Sequence, residues 1–598
     1  MAELGVRLLR FHKRIFELKP HPKLKDNLYL HGDWQLEDYQ FEGIVELSKI
    51  SRPVLGDDTG IGKTVESLTT FAYKKLKEPQ YRGIFIVPTV SVFQWVSEIQ
   101  KFTSFKVMPV ESKGSIEDRK ELFDTFFKED YDILVIPHSL LHKRIFLTDK
   151  KGAITGCVSQ DSEIYHCFKL IEKYKDKYKY FIAIDEATCV RCAKSNIFTN
   201  CKYLSFRYGD YVVCMTATIL YKQLLDARNI FHVADPRVFD NIYSFMNIYF
   251  KKMWVPRLKK KVPNLKQPTN LELFKENIMG RYIARKKTDI KSGQIPHLIR
   301  DTFNLRCSDS DTRIYSLVEN SVEETIDDDG KVKPMSFWQL GQLFFLSQIV
   351  LDVPIFEGTK FEDDFKNKEL KKFKEYMQEF TYPSLLKGKD YTVYVPINNV
   401  INTKAEYVLS LMQDYGSKFI VFSRYLYGLD YLTKVLYDKG YRIGSDFIRI
   451  TGFDNYKTKN GSDREKAIKL FQENSGVKLA LISSAGEASL NLQAANLICF
   501  YNLPYTAGAY IQLVGRIHRL FSKHDTVSAI SLLSWLPNSK QTVEHDTWNV
   551  IRGELNLIEK TLGTSIMDYN ETHSLIQNTD DFVKQVLIKM KQRIKGAV

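Results

Sequence analysis

Short runs of apolar residues, each ending in a small or polar residue, form two clusters along the chain. Strands that are apolar on both faces belong to parallel sheets covered by helices, and the stretches between these runs are long enough for crossover helices. The runs predict strands at 83–88, 132–137, 180–185 and 211–216, and then at 418–423, 447–451, 478–483, 497–501 and 526–531. The pattern therefore predicts an α/β protein with two doubly wound parallel-sheet lobes.

The positions of these runs also predict how the chain is divided. Between the two clusters, residues 236–395 lack the strand pattern and are interpreted as mainly helical insertions and an inter-lobe linker. The predicted parts are an N-terminal extension (1–33), a first lobe (34–235), the helical segment (236–395), a second lobe (396–543) and a basic helical tail (544–598).

A glycine-rich segment follows the short apolar run Pro53–Leu55 and leads into a helix with one apolar face. Glycines let backbone N–H groups turn toward phosphates, and a helix N-terminus adds the positive end of its dipole. In such a loop the lysine reaches the terminal phosphates and the following hydroxyl ligates Mg²⁺. The segment therefore predicts a nucleotide site at Thr59, Gly60, Ile61, Gly62, Lys63 and Thr64.

Two carboxylates follow the strand predicted at 180–185. Asp185, at the carboxyl end of that strand, is the candidate Mg²⁺ ligand together with Thr64, and Glu186 is the candidate base that orients the attacking water. A helix-capping pair is the alternative interpretation of Asp185 and Glu186. Their position downstream of a phosphate loop favours the catalytic interpretation.

In the second lobe Gln512, Arg516 and Arg519 are spaced at i, i+4 and i+7, which predicts one helical face. An isolated basic stripe is usually solvated. In a chain with a phosphate loop the stripe indicates arginine fingers, which stabilise charge that develops on the γ-phosphate. Hydrolysis would then require the two lobes to close, as in a motor cycle.

Composition and charge narrow the class of protein. The chain has 598 residues, 44% of them hydrophobic, which excludes a disordered protein. No apolar stretch is long enough for a membrane span or a secretory signal, so a cytoplasmic location in a prokaryote or a virus-infected cell is expected. The net charge of +14 favours a polyanionic partner. The segment Lys251–Lys266 holds seven basic residues and no acid, and is either a solvated loop or a phosphate-contacting surface that includes Lys259, Lys260 and Lys261.

The eight cysteines are typical of reduced thiols rather than of a disulfide framework. Five of them lie between Cys157 and Cys201, and the pair Cys189 and Cys192 has the spacing of zinc ligands. A second pair at that spacing is missing, so free thiols are favoured over a structural zinc site.

The ordered series of motifs resembles the superfamily-two helicase ATPases and, within them, the Swi/Snf-type DNA translocases. Leu36–Gly43 is similar to the opening motif of that family, in which the glutamine, here Gln40, reads the adenine. Met215–Thr218 resembles motif III, and Tyr282–Asp289 resembles the Swi/Snf-type linker. The resemblance implies two RecA-like lobes, ATP and Mg²⁺ as cofactors, and a role for Gln512 at the nucleotide. Thr188 stands where the family usually has histidine, so the chain is identified as a divergent and compact member, which suits a bacterial or viral source.

The resemblance also implies nucleic-acid contacts in motifs Ia, IV and V and in the element between the last two. The residues that carry them are Thr89, Trp95, Ser423, Arg424, Thr451, Gly452 and Ser484. Such contacts go mostly to phosphates, so little sequence specificity is expected.

The leading hypothesis is an ATP-driven motor that moves along duplex or branched DNA and remodels junctions or displaces bound proteins. One alternative is an RNA helicase or RNA-dependent ATPase of the same superfamily. Another is an ATP-switched docking factor for a polymerase or recombination complex, which would bind its protein partner through the N-terminal extension or the C-terminal tail.

Overall fold

The structure, a computed structural model, describes residues 29–31, 36–112, 114–148, 154–220, 223–255, 259–287, 295–323, 346–354, 373–454, 456–458, 461–484, 492–519, 522–537 and 540–562. The chain forms two compact units that divide between positions 291 and 292. Most of the predicted N-terminal extension and of the basic tail lies outside the described residues.

A seven-stranded parallel sheet forms the centre of the first unit. The strands of this unit are β1 (Val54–Leu55), β2 (Tyr81–Val87), β3 (Val107–Pro109), β4 (Ile133–Pro137), β5 (Phe146–Thr148), β6 (Ile154–Cys157), β7 (Lys179–Ile184), β8 (Gly209–Met215), β9 (Phe250–Val255), β10 (Lys260–Pro268) and β11 (Tyr282–Ile283). The sheet has the order β11–β1–β8–β7–β2–β4–β3. The pairs β5–β6 and β9–β10 are separate antiparallel ribbons.

The helices of this unit each bury an apolar stripe, and several of them cover the sheet. They are α1 (Asp38–Lys49), α2 (Lys63–Lys77), α3 (Val92–Phe102), α4 (Ile116–Lys128), α5 (His138–Leu141), α6 (Glu163–Tyr174), α7 (Asn196–Tyr208), α8 (Leu224–Ala234), α9 (Ile242–Tyr249) and α10 (Leu271–Ile278). On α2, Leu68, Phe71 and Ala72 recur at helical spacing and pack with Phe85 and Phe181 of the central strands. This packing fixes the N-terminus of α2 against the sheet edge.

The second unit is built around a six-stranded parallel sheet. Its strands are β12 (His297–Arg306), β13 (Met377–Pro383), β14 (Asp390–Pro396), β15 (Lys418–Phe422), β16 (Phe447–Ile450), β17 (Lys457–Thr458), β18 (Gly461–Ser462), β19 (Leu479–Ile482), β20 (Ala495–Phe500) and β21 (Thr526–Trp535). The sheet has the order β12–β21–β20–β15–β19–β16, and β13–β14 and β17–β18 form separate antiparallel ribbons. The helices that lie wholly within the described residues of this unit are α11 (Asp309–Glu323), α12 (Thr403–Asp414), α13 (Leu426–Asp438), α14 (Asp463–Glu473), α15 (Ala507–Val514) and α16 (Val543–Leu562).

The nine strands predicted from apolar runs are confirmed, because each of them belongs to one of the two parallel sheets. The described part of 236–395 differs from the mainly helical interpretation, since it contains β9 to β14 beside α9, α10 and α11. These strands escape the search for apolar runs because they are partly exposed. The edge strand β12, for example, alternates between exposed and half-buried positions along most of its length. No helix in the described part of the chain combines the length and apolarity that a bilayer crossing requires.

Candidate nucleotide site and nucleic-acid contacts

The candidate site of the first unit lies at the carboxyl edge of its sheet. The chain leaves β1 at Gly56, β4 at His138, β7 at Asp185 and β8 at Thr216. Because parallel strands end at the same edge, these positions are brought together although they are far apart in sequence.

The predicted phosphate loop curls around the ammonium group of Lys63. Gly60 and Gly62 have φ angles of 77° and 102°, a left-handed conformation that glycine adopts without strain. Lys63 is the first residue of α2, and its Nζ donates to the carbonyl oxygens of Asp57 at 2.7 Å and Asp58 at 2.9 Å. Thr64 follows in the first turn. A lysine ammonium at the N-terminus of a helix fits the negative charge of a triphosphate.

Two side chains of α1 hold the middle of this loop. The hydroxyl of Tyr39 donates to the carbonyl oxygen of Ile61 at 2.7 Å, and Gln40 Nε2 donates to the same oxygen at 3.2 Å. A Cβ on Gly62 would lie 2.2 Å from Gln40 Nε2, so the glycine leaves room for this amide. Gln40 therefore orders the phosphate loop, and its recognition of adenine stays a prediction.

Asp185 is held in place by hydrogen bonds to both carboxylate oxygens. Trp95 Nε1 donates to Oδ2 at 2.9 Å, and the backbone N–H of Glu186 donates to Oδ1 at 2.9 Å. Burial and the charge of Glu186 raise the pKa of Asp185 to about 7, although Trp95 and Lys63 act in the opposite direction. A buried carboxylate whose charge is penalised in this way fits a divalent cation, which would favour the ionised form.

The indole of Trp95 is not at a nucleic-acid surface. The family resemblance places Trp95 among the DNA contacts, whereas the structure buries its side chain beside Phe85 and directs its N–H to Asp185. Trp95 therefore positions the candidate metal ligand. Thr89, the other residue of this motif, is exposed.

His138 is a further residue of the site that the sequence interpretation missed. Its Nε2 lies 3.0 Å from the carbonyl oxygen of Asp185, and burial lowers the pKa of the imidazole to about 4. The ring is therefore neutral at physiological pH and donates through Nε2–H. Its position directly after the predicted strand 132–137 is the signal that could have found it.

Glu186 has a strained backbone, with φ 45° and ψ 55° in the left-handed region. This conformation costs a residue with a side chain about 1–2 kcal/mol, and such strain clusters at active sites. The next residues form a tight 3₁₀ turn, Ala187–Val190, and the N–H of Cys189 donates to the carbonyl oxygen of Glu186 at 3.0 Å. The strain agrees with a catalytic role for Glu186.

Arg285 fastens the end of the first unit to the base of the phosphate loop. Its backbone N–H and its Nε donate to Asp57 Oδ1 at 2.9 and 3.1 Å, and its Nη2 contacts the carboxylates of Asp57 and Glu66. Its Nη1 donates to the carbonyl oxygen of Tyr39. Asp57 and Glu66 are fully buried, and burial together with the charge of Asp57 raises the pKa of Glu66 well above its usual value. Arg285 is therefore the counter-ion of a buried acidic pair.

Two glycines make this arrangement possible. A Cβ on Gly43 would lie 2.4 Å from both Arg285 Nη1 and Glu66 Oε2, and a Cβ on Gly56 would lie 2.1 Å from the ring of Tyr282. Farther along, the backbone N–H of Lys287 donates to Asp58 Oδ2 at 3.0 Å. The segment that resembles the Swi/Snf-type linker thus packs on the phosphate loop as far as its described residues extend.

In the second unit the predicted nucleic-acid residues divide into buried and accessible groups. Ser423 and Thr451 are fully buried, and their hydroxyls donate to the Tyr425 carbonyl oxygen at 2.7 Å and to Asp454 Oδ2 at 2.6 Å. These two side chains shape the loops that follow β15 and β16. The accessible members are Arg424, which is half-buried with its guanidinium 3.6 Å from the ring centroid of Tyr505, and Gly452 and Ser484, which are exposed.

A buried polar network supports the loop after β15. Asn502 Nδ2 donates to Ser423 Oγ at 3.1 Å and to Asp352 Oδ2 at 2.8 Å. Lys404 Nζ donates to Asp352 Oδ1 at 2.8 Å and also contacts Glu544. Burial raises the pKa of Asp352 to about 6, although the charge of Lys404 opposes this shift. The network connects residues 346–354 and the start of α16 to the sheet edge of this unit.

The prediction that Gln512, Arg516 and Arg519 share one helical face is wrong, because α15 ends at Val514 and only Gln512 lies on it. The N–H of Arg516 donates to the carbonyl oxygen of Leu513 at 3.0 Å, so the chain continues in tight turns rather than as a regular helix. Gln512 and Arg516 are buried, and half-buried Arg519 donates from Nε to the carbonyl oxygen of Gly515 at 3.0 Å. Their roles at the nucleotide stay predictions.

The remaining candidates are the basic segment and the cysteines. Lys259, Lys260 and Lys261 are exposed where the second strand of the ribbon, β10, begins. All eight cysteines are unpaired thiols, with Cys201 buried and Cys192 exposed. Over the described ranges, no three histidine, cysteine, aspartate or glutamate side chains are grouped so that they could hold a metal ion.

Comparisons with known families match both units. Residues 39–349 match the SNF2-related domain, and residues 403–521 match the helicase conserved C-terminal domain. These matches span the phosphate loop, the Asp185–Glu186 pair and the Gln512–Arg519 segment.

Two of the similar curated proteins are yeast helicases. The chain is 22% identical to the ATP-dependent helicase FUN30 of Saccharomyces cerevisiae, over 95% of this chain and 50% of that protein. It is 23% identical to the ATP-dependent helicase fft1 of Schizosaccharomyces pombe, over 81% of this chain and 49% of that protein. The chain therefore spans about half the length of these curated relatives. Among solved structures, the Sulfolobus solfataricus SWI2/SNF2 ATPase core in complex with dsDNA is 16% identical, with a TM-score of 0.33 over 96% of this chain and 98% of the other.

Replacing Arg285 with glutamine tests whether it holds the phosphate loop together. Without the guanidinium, Asp57 and Glu66 share a buried site that has lost its main positive partner, so the free energy of unfolding should fall by about 3–5 kcal/mol. Denaturant unfolding measures this change. Arg281→Gln is the matched control, because the half-exposed Arg281 pairs with Asp235, which also binds Arg237, and should cost below about 1 kcal/mol. Equal losses in the two variants would contradict the role given to Arg285.

Proposed function

Since this chain belongs to the SNF2-related family, we propose that it is an ATP hydrolase that uses ATP turnover to move along DNA. The observation that carries the proposal is the arrangement at one edge of the first sheet. There Lys63 is the first residue of the helix that follows β1, and Asp185 and strained Glu186 directly follow β7 at the same edge of the sheet. A candidate phosphate-binding cation, a candidate metal ligand and a candidate base therefore lie at one edge of the sheet.

Each residue of this site is proposed to have a separate role in hydrolysis. Lys63 and the N–H groups of the loop would hold the phosphates, and Thr64 and Asp185 would hold Mg²⁺. When bound, the ion would neutralise charge on the phosphate oxygens. Glu186 would orient the attacking water and accept its proton. Trp95 and His138 keep the Asp185 segment in place through its side chain and its carbonyl oxygen.

The second unit is proposed to supply the remaining nucleotide contacts. The proposal for Gln512, Arg516 and Arg519 rests on their sequence pattern and on the match to the helicase conserved C-terminal domain. Arginines in this role stabilise charge that develops on the transferred phosphoryl group. Turnover would then depend on both units, as a motor requires.

DNA is proposed as the track because the net charge of +14 favours a polyanion and the family relatives include ATP-dependent helicases. Contacts from Thr89, Arg424, Gly452 and Ser484 would go to phosphates, which carry no base code. Binding should therefore be insensitive to sequence and should weaken steeply with salt. Junction remodelling and displacement of bound proteins are the activities that such a motor would perform.

Replacing Glu186 with glutamine separates nucleotide binding from hydrolysis. The amide keeps the shape of the side chain but cannot accept a proton from water, so a fluorescent ATP analogue should bind within about twofold of the wild-type affinity while turnover falls by a factor of about 10² or more. Glu117→Gln, an exposed acid on α4, is the control and should not change either quantity. Near-normal turnover by Glu186→Gln would remove Glu186 as the base.

The track is tested by ATP turnover in the presence of duplex DNA, forked DNA, single-stranded DNA and single-stranded RNA. Duplex and forked DNA should stimulate turnover more than RNA, and raising the salt concentration should shift half-maximal stimulation to higher DNA concentrations because phosphate contacts release counter-ions. Greater stimulation by RNA would favour the RNA-dependent alternative. Turnover that no nucleic acid stimulates would favour the docking factor.

A further inference from the structure

The β9–β10 ribbon presents an exposed tryptophan between lysines. Trp254 of β9 lies directly opposite Lys261 of β10, and Lys252 lies opposite Pro263. Opposed residues share a face of an antiparallel pair, and residues two apart along a strand share that face as well. One face of the ribbon therefore carries Lys252, Trp254 and Lys261.

An aromatic cluster fixes the base of this ribbon to the first unit. Phe245 packs with Tyr249 and Phe250 at ring-centroid distances of 4.6 and 6.3 Å, and Phe239 stacks on Phe274 at 5.6 Å. The N–H of Thr269 donates to the carbonyl oxygen of Tyr249 at 2.8 Å, which closes the ribbon where it meets the cluster. The ribbon is therefore anchored at one end by buried rings.

The outer part of the ribbon is exposed to solvent. Trp254 is 56% exposed and its neighbour Met253 is 46% exposed. Lys251, Lys252, Lys259, Lys260 and Lys261 are exposed too, and within the described part of the chain none of them pairs with a carboxylate. An exposed indole among exposed lysines keeps apolar area in contact with water, which a bound partner could cover.

We propose that this ribbon binds nucleic acid that exposes unpaired bases, with the indole of Trp254 stacked on a base and Lys252 and Lys261 on the flanking phosphates. The seven basic residues of Lys251–Lys266, with no acid among them, match a phosphate backbone. Aromatic rings bind single strands by stacking, and every unpaired base offers a face for it. Inside a duplex those faces are already covered by neighbouring bases.

This inference rests on the proposed function and adds a substrate class to it. A motor on duplex DNA meets unpaired bases at forks, flaps and junctions. A stacking side chain on an anchored ribbon would raise the affinity for those branched structures above the affinity for plain duplex. Lysines alone would bind the phosphates of both equally. The ribbon was expected from sequence only as a basic segment, because nothing in the spacing of its lysines showed that Trp254 would share their face.

The test compares the binding of two fluorescent probes in the absence of ATP: a fork with single-stranded arms and a fully paired duplex of the same length. Trp254→Ala should weaken fork binding about tenfold, as expected for the loss of one stacked base, and should change duplex binding less than about twofold. Trp254→Phe keeps a ring and should recover most of the fork affinity. Phe206→Ala removes another exposed aromatic ring, on α7, and should leave both affinities unchanged.

A base analogue gives a second, direct readout of stacking. With 2-aminopurine in an unpaired arm, wild-type protein should quench its fluorescence and Trp254→Ala should not. Two results would overturn the proposal: Trp254→Ala weakens fork and duplex binding equally, or it changes neither fork binding nor the quenching of 2-aminopurine. The ribbon would then be a charged surface or a protein-docking site. Because these measurements need no ATP turnover, they stay interpretable if the proposed motor activity fails.

Discussion

The first unit depends on one buried guanidinium. Arg285 lies among the carboxylates of Asp57 and Glu66 and the carbonyl oxygen of Tyr39, where water does not compete for the charges. A buried acid pair is tolerated only while a positive partner remains in place. Through this contact the end of the unit, the helix that carries Gln40 and the base of the phosphate loop are fixed relative to one another. The shape of the loop around Lys63 follows from that constraint.

The parts of the fold that the sequence predicted are those buried on both faces. Strands such as β2 and β7 show continuous apolar runs because helices cover the sheet on both sides, and the glycines of the phosphate loop mark a backbone that turns toward phosphates. The edge strand β12 and the β9–β10 ribbon were missed because their polar positions face solvent. A search for apolar runs has no signal for half-exposed strands.

Contacts between distant positions were the other part that sequence could not supply. Trp95 donates to Asp185, and Arg285 pairs with Asp57, across separations that no spacing rule covers. Gly43 and Gly56 were visible as glycines, but the reason for them is the packing of Arg285 and Tyr282 against their Cα atoms. In the second unit the turn after Val514 replaced the expected helical face, since intrinsic periodicity does not report where a helix ends.

Displacement of a triplex-forming strand from naked duplex shows whether hydrolysis at the Lys63–Glu186 site drives movement along DNA. The wild-type protein with ATP and Mg²⁺ should release the third strand over many turnovers, and a non-hydrolysable ATP analogue should give no release. Sustained ATP hydrolysis on the same duplex without displacement would contradict the proposed motor activity, because the nucleotide would then act as a switch rather than drive movement.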